Sequence, residues 1–275
     1  MLSMITTPLT RDLIKNTEHR YLTLSFSNSV LEVLITGDDP GEEPLVARIP
    51  LTVTSTVAAA LEEAVYSNPL LLSQFKRTTV IAVTPRFHVL PSESSGDQDL
   101  ADALAEMFDH DNPAYIFDDI DRRHCVAAAV DREVYRFVQR TFDRATLRSH
   151  IAVLGSFFAT RSRLGNTAKM FVNLRHGKDM EIVVYNNHGL DAATYISCSD
   201  LNDTIYYILA AATAAHIDLG AGDEVFLGGD KDRRAAVLPA LQKYAPKVLP
   251  LIIPSTAPLS ARDLELEMIV NTPKS

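Results

Sequence analysis

The sequence has few of the residues on which several common classes of protein depend. Only two cysteines occur among the 275 residues, Cys125 and Cys198, which excludes a disulfide framework and a zinc site made of four thiolates. The same scarcity is typical of a reducing compartment, so we expect a cytoplasmic protein. No G-x-S-x-G motif is present, and the sequence therefore offers no nucleophile elbow of an α/β-hydrolase.

Long hydrophobic runs and clusters of basic residues are also missing. No stretch approaches the roughly 18 to 20 uncharged apolar residues of a transmembrane helix, and the first 20 residues lack the pattern of a signal peptide. The net charge is −9 and the isoelectric point is about 5.3. Nucleic-acid binding needs clustered Lys and Arg, whereas Arg122–Arg123 and Arg233–Arg234 are isolated pairs. We therefore expect neither a nucleic-acid partner nor a membrane span.

What the sequence does contain is a regular alternation of apolar strands and amphipathic helices. Apolar residues make up 47% of the chain, enough for one large or two medium domains. The first part predicts a hairpin, a third strand, a helix capped by Ser55, and then a strand, a helix and a strand. In chain order these elements lie at 21–35, 44–51, 54–67, 78–83, 100–108 and 114–118.

The C-terminal part repeats this order of elements without repeating the side chains. It predicts three strands joined by two turns, a helix capped by Ser199 or Asp200, and then a strand, a helix and a final strand. In chain order these lie at 168–198, 199–216, 224–227, 231–244 and 248–254. The connecting part predicts a strand at 124–130 and a helix at 132–142. Residues 144–164 predict either a strand that enters a helix or one longer helix.

Two such α/β units in tandem are typical of the actin, sugar-kinase and chaperone ATPase superfamily, which has a ribonuclease H-like fold. The segments RYLTLSFSNSVLEVLI, TVIAVTPRFHVLPSE, SDLNDTIYYILAA and EVFLGGD also resemble a family of uncharacterised bacterial proteins, of the Bacteroidetes type, with an actin-like ATPase fold. The resemblance covers residues 15–255. It implies two actin-like subdomains, 1–145 and 146–275, each a mixed sheet with flanking helices.

The resemblance also indicates where a nucleotide would bind. In the superfamily, each first hairpin carries an Asp and a Gly near its turn, and a glycine pair after a late strand lies against adenosine. Here Gly228 and Gly229 correspond to the glycine pair, and Asn173 and Gly177 belong to the second hairpin. Asn173 is a poor substitute for the carboxylate that Mg²⁺ favours. We therefore expect a vestigial nucleotide cleft at these four residues, with ATP the one cofactor left open.

The first hairpin, LTLSFSNSVLEV, has neither Asp nor Gly, which removes a second part of the phosphate site. We accordingly expect no catalytic residue and no bound metal. The glycine pair itself has two interpretations from sequence, a close approach to a ligand or a turn of the chain.

Other polar groups favour structural roles. The segment FDDIDRRHC contains Asp118, Asp119, Asp121, His124 and Cys125, but its two arginines would repel a cation, so we predict a solvated turn. We predict a structural hydrogen bond for His150. Further predictions are buried, inert thiols at Cys125 and Cys198, core and rim positions for Tyr206 and Tyr207, a helix end at 108–113, and a docking tail at 261–275.

These observations favour a catalytically degenerate protein of the actin-like fold, acting as a binding or assembly module. Its partner would be an unidentified protein or a second copy of the chain. The alternative is an active ATPase or kinase that uses a non-standard site.

Overall fold

The computed structural model describes residues 8–38, 42, 44–94, 104, 106, 108, 113–162, 167–220 and 222–252. The described chain divides into two compact units. The first unit extends to Asp118 and includes Val126–His150, and the second contains Asp119–Cys125 and the residues from Ile151 onwards. The predicted tail at 261–275 and most of the segments 100–108 and 108–113 lie outside the described residues.

Thirteen strands build the sheets of the described chain. In the first part of the chain they are β1 (Tyr21–Phe26), β2 (Val30–Thr36), β3 (Leu45–Pro50), β4 (Arg77–Ala82), β5 (Phe87–Pro91), β6 (Ala114–Asp119), β7 (His124–Val130) and β8 (Thr146–Ser149). In the second part they are β9 (Lys169–Leu174), β10 (Asp179–Asn186), β11 (Gly189–Ser197), β12 (Glu224–Gly229) and β13 (Val248–Pro250).

Helices connect and cover these strands. The α-helices with both ends in the described chain are α1 (Val57–Tyr66), α2 (Arg132–Thr141), α3 (His150–Ser162), α4 (Leu201–Ala214) and α5 (Lys231–Leu241). Leu104, Glu106 and Phe108 are also helical. Short 3₁₀ turns occur at Arg11–Leu13, Thr17–His19, Pro69–Leu72 and Ser92–Ser94. No helix of the described residues is long and apolar enough to cross a membrane.

The two main sheets have the same topology. Their strand orders are β3-β2-β1-β4-β8 and β11-β10-β9-β12-β13. In each, three antiparallel strands are followed by two strands that run parallel to the first. The predicted α/β fold and its internal repeat are therefore confirmed, and the segment 144–164 is a strand that enters a helix.

One element of the first repeat differs from the sequence prediction. The strand that completes the first sheet is β8, whereas β6 joins β5 and β7 in a separate three-stranded sheet. Its chain neighbour β7 follows after a short turn, so β6 pairs locally rather than with β4. The N-cap residues of two helices also needed the structure: the prediction for α1 was wrong, and that for α4 had left two residues open. Thr56, not Ser55, caps α1, and Asp200 caps α4.

Strands β9 and β10 of the second sheet are buried on both faces, which explains their long apolar runs. Met170, Val172 and Leu174 pack with α4 and α5 into one hydrophobic core. On the opposite face Phe171 stacks on Phe158 of α3 with ring centroids 4.1 Å apart. Each residue of β9 is therefore committed to one of two packed layers.

Helix α4 shows how its apolar spacing selects the buried face. Ile205, Ile208 and Ala212 are buried, at the i, i+3 and i+7 positions of one helical stripe. Tyr206 and Tyr207 fall outside that stripe and are 65% and 37% exposed. The prediction that one of these tyrosines belongs to the core is therefore wrong.

Helix α4 provides a matched test of this burial. We expect Ile208→Ala to lower the free energy of unfolding by about 2–5 kcal/mol, because it leaves a cavity in the core. Tyr206→Ala on the same helix should change it by less than about 0.5 kcal/mol, as is usual for exposed positions. Urea denaturation of both variants measures the difference, and equal losses would contradict the packing described.

Candidate functional site

The register of the second sheet brings three of the four predicted site residues together. Strand β12 runs parallel to β9, so that Gly228 lies beside Asn173 and Gly229 lies beside Leu174. Gly177 belongs to the turn between β9 and β10. The glycine pair and the second hairpin therefore meet at the carboxyl ends of two central strands.

Gly229 is held against the backbone of the neighbouring strand. Its φ is +87°, a conformation that glycine adopts without steric cost. A Cβ at this position would lie 2.2 Å from the carbonyl oxygen of Leu174 and 2.5 Å from Oδ1 of Asn173. The next amide, of Asp230, donates a 2.6 Å hydrogen bond to the same Leu174 oxygen. The protein's own packing is thus sufficient to require glycine here.

Asn173 is part of a buried polar cluster with two charged residues. Its Nδ2 donates to Oε2 of Glu181 at 2.7 Å, and Arg175 Nη1 donates to Oε1 at 2.9 Å. The exposed fractions of Asn173, Arg175 and Glu181 are 1%, 5% and 0%. A carboxylate only accepts hydrogen bonds, so the amide group of Asn173 must face it.

With Nδ2 facing Glu181, the side-chain oxygen of Asn173, Oδ1, faces Gly229. Oδ1 of Asn173 is buried without a hydrogen-bond partner among the described residues, and it is one of the atoms nearest to Gly229. A buried acceptor without a partner costs about 1–3 kcal/mol. This oxygen is neutral, and a single neutral ligand does not replace the carboxylates of a magnesium site.

The turn after β9 is fixed by α5 rather than open to a phosphate. Arg233 Nη1 donates to the carbonyl oxygens of Arg175 and Asp179, at 2.8 and 2.5 Å. Asp230 caps α5 through the amides of Asp232 and Arg233. Its Oδ2 also lies 3.2 Å from Nδ1 of His176.

Asp230 itself is held in its charged form. Burial opposes ionisation, but the amide of Arg233 and the imidazole of His176 outweigh it and lower the pKa of Asp230. A carboxylate at the start of α5 occupies the place where a helix N-terminus would attract an anion. The strand-to-helix turn after the glycine pair is therefore already neutralised by the chain.

Gly177 lies in a different environment from the other three predicted residues. Its φ is +92°, and a Cβ there would meet nothing within 4 Å. It lines a cavity of about 200 Å³ whose other residues include Lys178, Cys198 and Arg233. Gly177 is thus required by its turn, while Gly229 is required by both its turn and its neighbours.

The first unit contains a corresponding pair that the sequence analysis missed. Glu32 is 4% exposed and faces Ser25 across β1 and β2, as Glu181 faces Asn173 across β9 and β10. Arg48 lies 3.8 Å from Glu32. The available signal was an acid inside an otherwise apolar strand, in VLEVLI and again in MEIVVY.

The acidic segment FDDIDRRHC forms protein contacts. Asp118 accepts three hydrogen bonds from Arg148, two of them from Nε and one from Nη2, and one from the amide of Ser149. Asp121 accepts from the amides of Arg123 and His124. In the part of the chain that the structure describes, no group of three His, Cys, Asp or Glu side chains is arranged to hold a metal ion.

The lone residues singled out from sequence have structural surroundings. His150 is fully buried, with Nδ1 3.2 Å from the carbonyl oxygen of Ala82, which confirms its predicted hydrogen bond. Cys125 and Cys198 are buried and take part in no disulfide in the described chain, and burial raises the pKa of both thiols. A buried thiol with a raised pKa is a poor nucleophile.

Comparison with solved structures defines the class of protein. A protein of unknown function from Bacteroides thetaiotaomicron, described as having an actin-like ATPase fold, superimposes with a TM-score of 0.79. It is 18% identical, and the match covers 94% of this chain and 97% of that one. The chain therefore has the actin-like ATPase fold.

The family is shown by the sequence itself. The chain belongs to the family described as "Protein of unknown function (DUF3822)", whose sequence profile matches residues 11–248. None of the curated proteins matches the chain.

Two further solved structures match the chain with lower scores. A PilM–PilN type IV pilus biogenesis complex matches at 14% identity and a TM-score of 0.45, covering 84% of this chain and 88% of that one. The cytoplasmic domain of EpsL from the type II secretion system of Vibrio cholerae matches at 14% identity and a TM-score of 0.43, covering 76% and 80%.

The two positive-φ glycines of the site form a matched pair for mutation. Gly177→Ala should lower the free energy of unfolding by about 1 kcal/mol, the cost of a left-handed alanine. Gly229→Ala should lower it by about 3 kcal/mol or more, because the new methyl group also collides with Leu174 and Asn173. Chemical denaturation gives both values, and equal losses would show that the close approach relaxes freely.

The variant Asn173→Asp places a second carboxylate beside buried Glu181 and tests the cost of this pair through the pH dependence of the free energy of unfolding. The new carboxyl group would lie beside Glu181, and the like charge and burial should raise its pKa above the unfolded value of about 3.9. A raised carboxyl pKa destabilises the folded state increasingly as the pH rises. We therefore expect a stability deficit that is small at pH 4 and grows by about 2 kcal/mol towards pH 7.

Asn173→Ser is the matched control for this effect, because it removes the amide without adding a charge. Serine also occupies the corresponding position of the first unit, at Ser25. The loss of unfolding free energy in Asn173→Ser, measured relative to the wild type at each pH, should therefore be nearly constant between about pH 4 and pH 7. Parallel profiles for the two variants would contradict the charge argument.

Proposed function

We propose that this chain is a non-catalytic, cytoplasmic protein of the actin-like fold that serves as a binding or assembly module for a protein partner or a second copy. The observation that carries the proposal is the hydrogen bond from the Asn173 amide to buried Glu181. At the place where the fold's ATPases need an acid, this chain has an amide that is used for packing.

The charges around this position also argue against magnesium. Mg²⁺ requires near-octahedral oxygen ligands at about 2.0–2.1 Å and usually one or two carboxylates. The nearest carboxylate, Glu181, is fully buried and paired with Arg175 at 2.9 Å. A metal ion would have to displace that guanidinium and the Asn173 amide together. The residues present therefore do not fit Mg-ATP.

The surface of the second unit supports a binding role. Tyr206 and Tyr207 project from α4 with their rings 5.2 Å apart in an edge-to-face contact. Tyr244 and Ile252 are 60% and 76% exposed. Tyrosine is enriched at protein interfaces, since its ring combines apolar area with a polar end.

The proposal predicts that the protein does not use Mg-ATP. Isothermal titration calorimetry should show no magnesium-dependent binding of ATP at concentrations up to about 1 mM, a limit that corresponds to about −4 kcal/mol. Phosphate release should equal that of buffer alone. Both follow because the site lacks a carboxylate that is free to hold the metal.

The decisive comparison is between titrations with magnesium and with EDTA. Micromolar affinity that requires magnesium, or phosphate release above that of buffer, would establish the alternative of a working ATPase or kinase with a non-standard site. If ATP does bind, Gly229→Ala and Gly177→Ala form a matched pair that locates it. Only Gly229→Ala fills the space beside the glycine pair, so only that variant should weaken ATP bound there.

A further inference from the structure

A second polar site lies at the other end of β10, formed by the β6–β7 turn, the end of α3 and the β10–β11 turn. This groove has a volume of about 580 Å³ and is lined by Asp121, Arg122, Arg123, Ala159, Ser162, Tyr185, Asn186, Asn187, His188 and Gly189. Its size falls within the range of about 300–1,000 Å³ of small-molecule sites. The strand from Asp179 to Asn186 separates it from the Gly177 turn by about 23 Å, at about 3.3 Å per residue.

Two adjacent guanidinium groups dominate the charge of the groove. Arg122 and Arg123 are both exposed, and Arg122 makes no hydrogen bond or ion pair with the residues that the structure describes. Arg123 Nη1 makes only a long contact, 3.4 Å, with the carbonyl oxygen of His188. Most of the N–H donors on these two side chains are therefore available to a ligand.

The acid in the groove is already engaged by the protein. Asp121 accepts hydrogen bonds from the amides of Arg123 and His124, at 2.7 and 2.9 Å, and His124 Nδ1 lies 3.0 Å from its Oδ1. Burial opposes its ionisation, but these groups outweigh burial and lower the pKa of Asp121. Asp121 therefore fixes the turn that presents the two arginines.

The acids near the groove are held by the protein's own donors. Asp121 is bonded by the amides of its own turn, and Asp191 accepts from Asn186 Nδ2. Asp191 is not among the lining residues, whereas Arg122 and Arg123 are. The charged groups that line the groove are therefore two guanidinium groups and one carboxylate that the protein already engages.

The opposite wall of the groove is preorganised. Asn186 donates to Asp191 at 2.8 Å and accepts from the amide of His188 at 2.8 Å. Gly189 has a φ of +117°, and a Cβ there would lie 3.4 Å from Cε1 of His124, so the two turns pack closely. Asn187 and His188 are exposed at this wall and can donate further hydrogen bonds.

We propose that this groove binds a small organic anion through a phosphate or carboxylate group, with Arg122 and Arg123 as the ion partners. Guanidinium groups form short, charge-assisted and often bidentate hydrogen bonds to both kinds of oxyanion. Asn187 and His188 would bind the polar remainder of the molecule. The site is independent of the glycine pair and of the proposed lack of ATP hydrolysis.

Calorimetric titration of the full chain with two probes, pyrophosphate and citrate, at low salt tests the proposal. We expect saturable binding of at least one probe without magnesium, and the stronger probe identifies the preferred oxyanion. Arg122→Gln should weaken that binding about tenfold, equivalent to about 1.4 kcal/mol. Arg123→Gln should have a similar effect, since both side chains face the groove.

Arg144→Gln is the control for a general loss of positive charge. Its side chain is 92% exposed, and its ion pair with Asp143 spans 4.0 Å. We expect Arg144→Gln to leave the affinity for the probe unchanged. The proposal would be overturned if Arg144→Gln weakened binding as much as Arg122→Gln does. It would also be overturned if neither probe showed saturable binding. ATP binding that does not need magnesium and is lost in Arg122→Gln would support the groove and leave the proposed function intact.

Discussion

The burial of Glu181 is the constraint on which the chemistry of the second unit depends. Removing a carboxylate from water costs several kcal/mol unless charged and polar donors replace the solvent. Arg175 and Asn173 supply those donors. Position 173 therefore has to carry a donor, and a residue that serves Glu181 in this way cannot also act as a negatively charged metal ligand. The hydrogen bond to Glu181 therefore accounts for the amide at position 173.

The same arrangement in the first unit indicates that this is a property of the repeat. In both hairpins the fifth residue of the first strand faces a glutamate at the third residue of the second strand, as Ser25 faces Glu32 and Asn173 faces Glu181. The acid is thus carried by the second strand and directed into the sheet. Because this occurs twice with different partners, the antiparallel register determines it more than any single side chain does.

The order of elements was predictable because it depends on local patterns. Apolar periodicity and turn residues identified the strands of both main sheets except β8, which the sequence left open between a strand and a helix, and the resemblance identified the fold. Pairing between distant strands was less accessible, since β6 and β8 have similar strand signals and only the three-dimensional packing assigns β8 to the first sheet. One tyrosine of the pair Tyr206–Tyr207 was assigned to the core, but neither belongs to the buried stripe of Ile205, Ile208 and Ala212, so both are exposed.

The sequence predicted that the glycine pair lies near the second hairpin, which the pairing of β12 with β9 confirms, but it did not predict why glycine is needed there. A glycine pair after a strand indicates that another group lies close to the backbone. The sequence does not distinguish a bound ligand from another segment of the chain. The answer comes from Leu174, which is 55 residues earlier in the chain and whose carbonyl oxygen would lie 2.2 Å from a Cβ at Gly229. A glycine that is required by the packing of two strands persists whether or not a nucleotide binds. Gly229 therefore reports on the pairing of β9 with β12, and evidence for a ligand has to come from groups that the fold itself does not need.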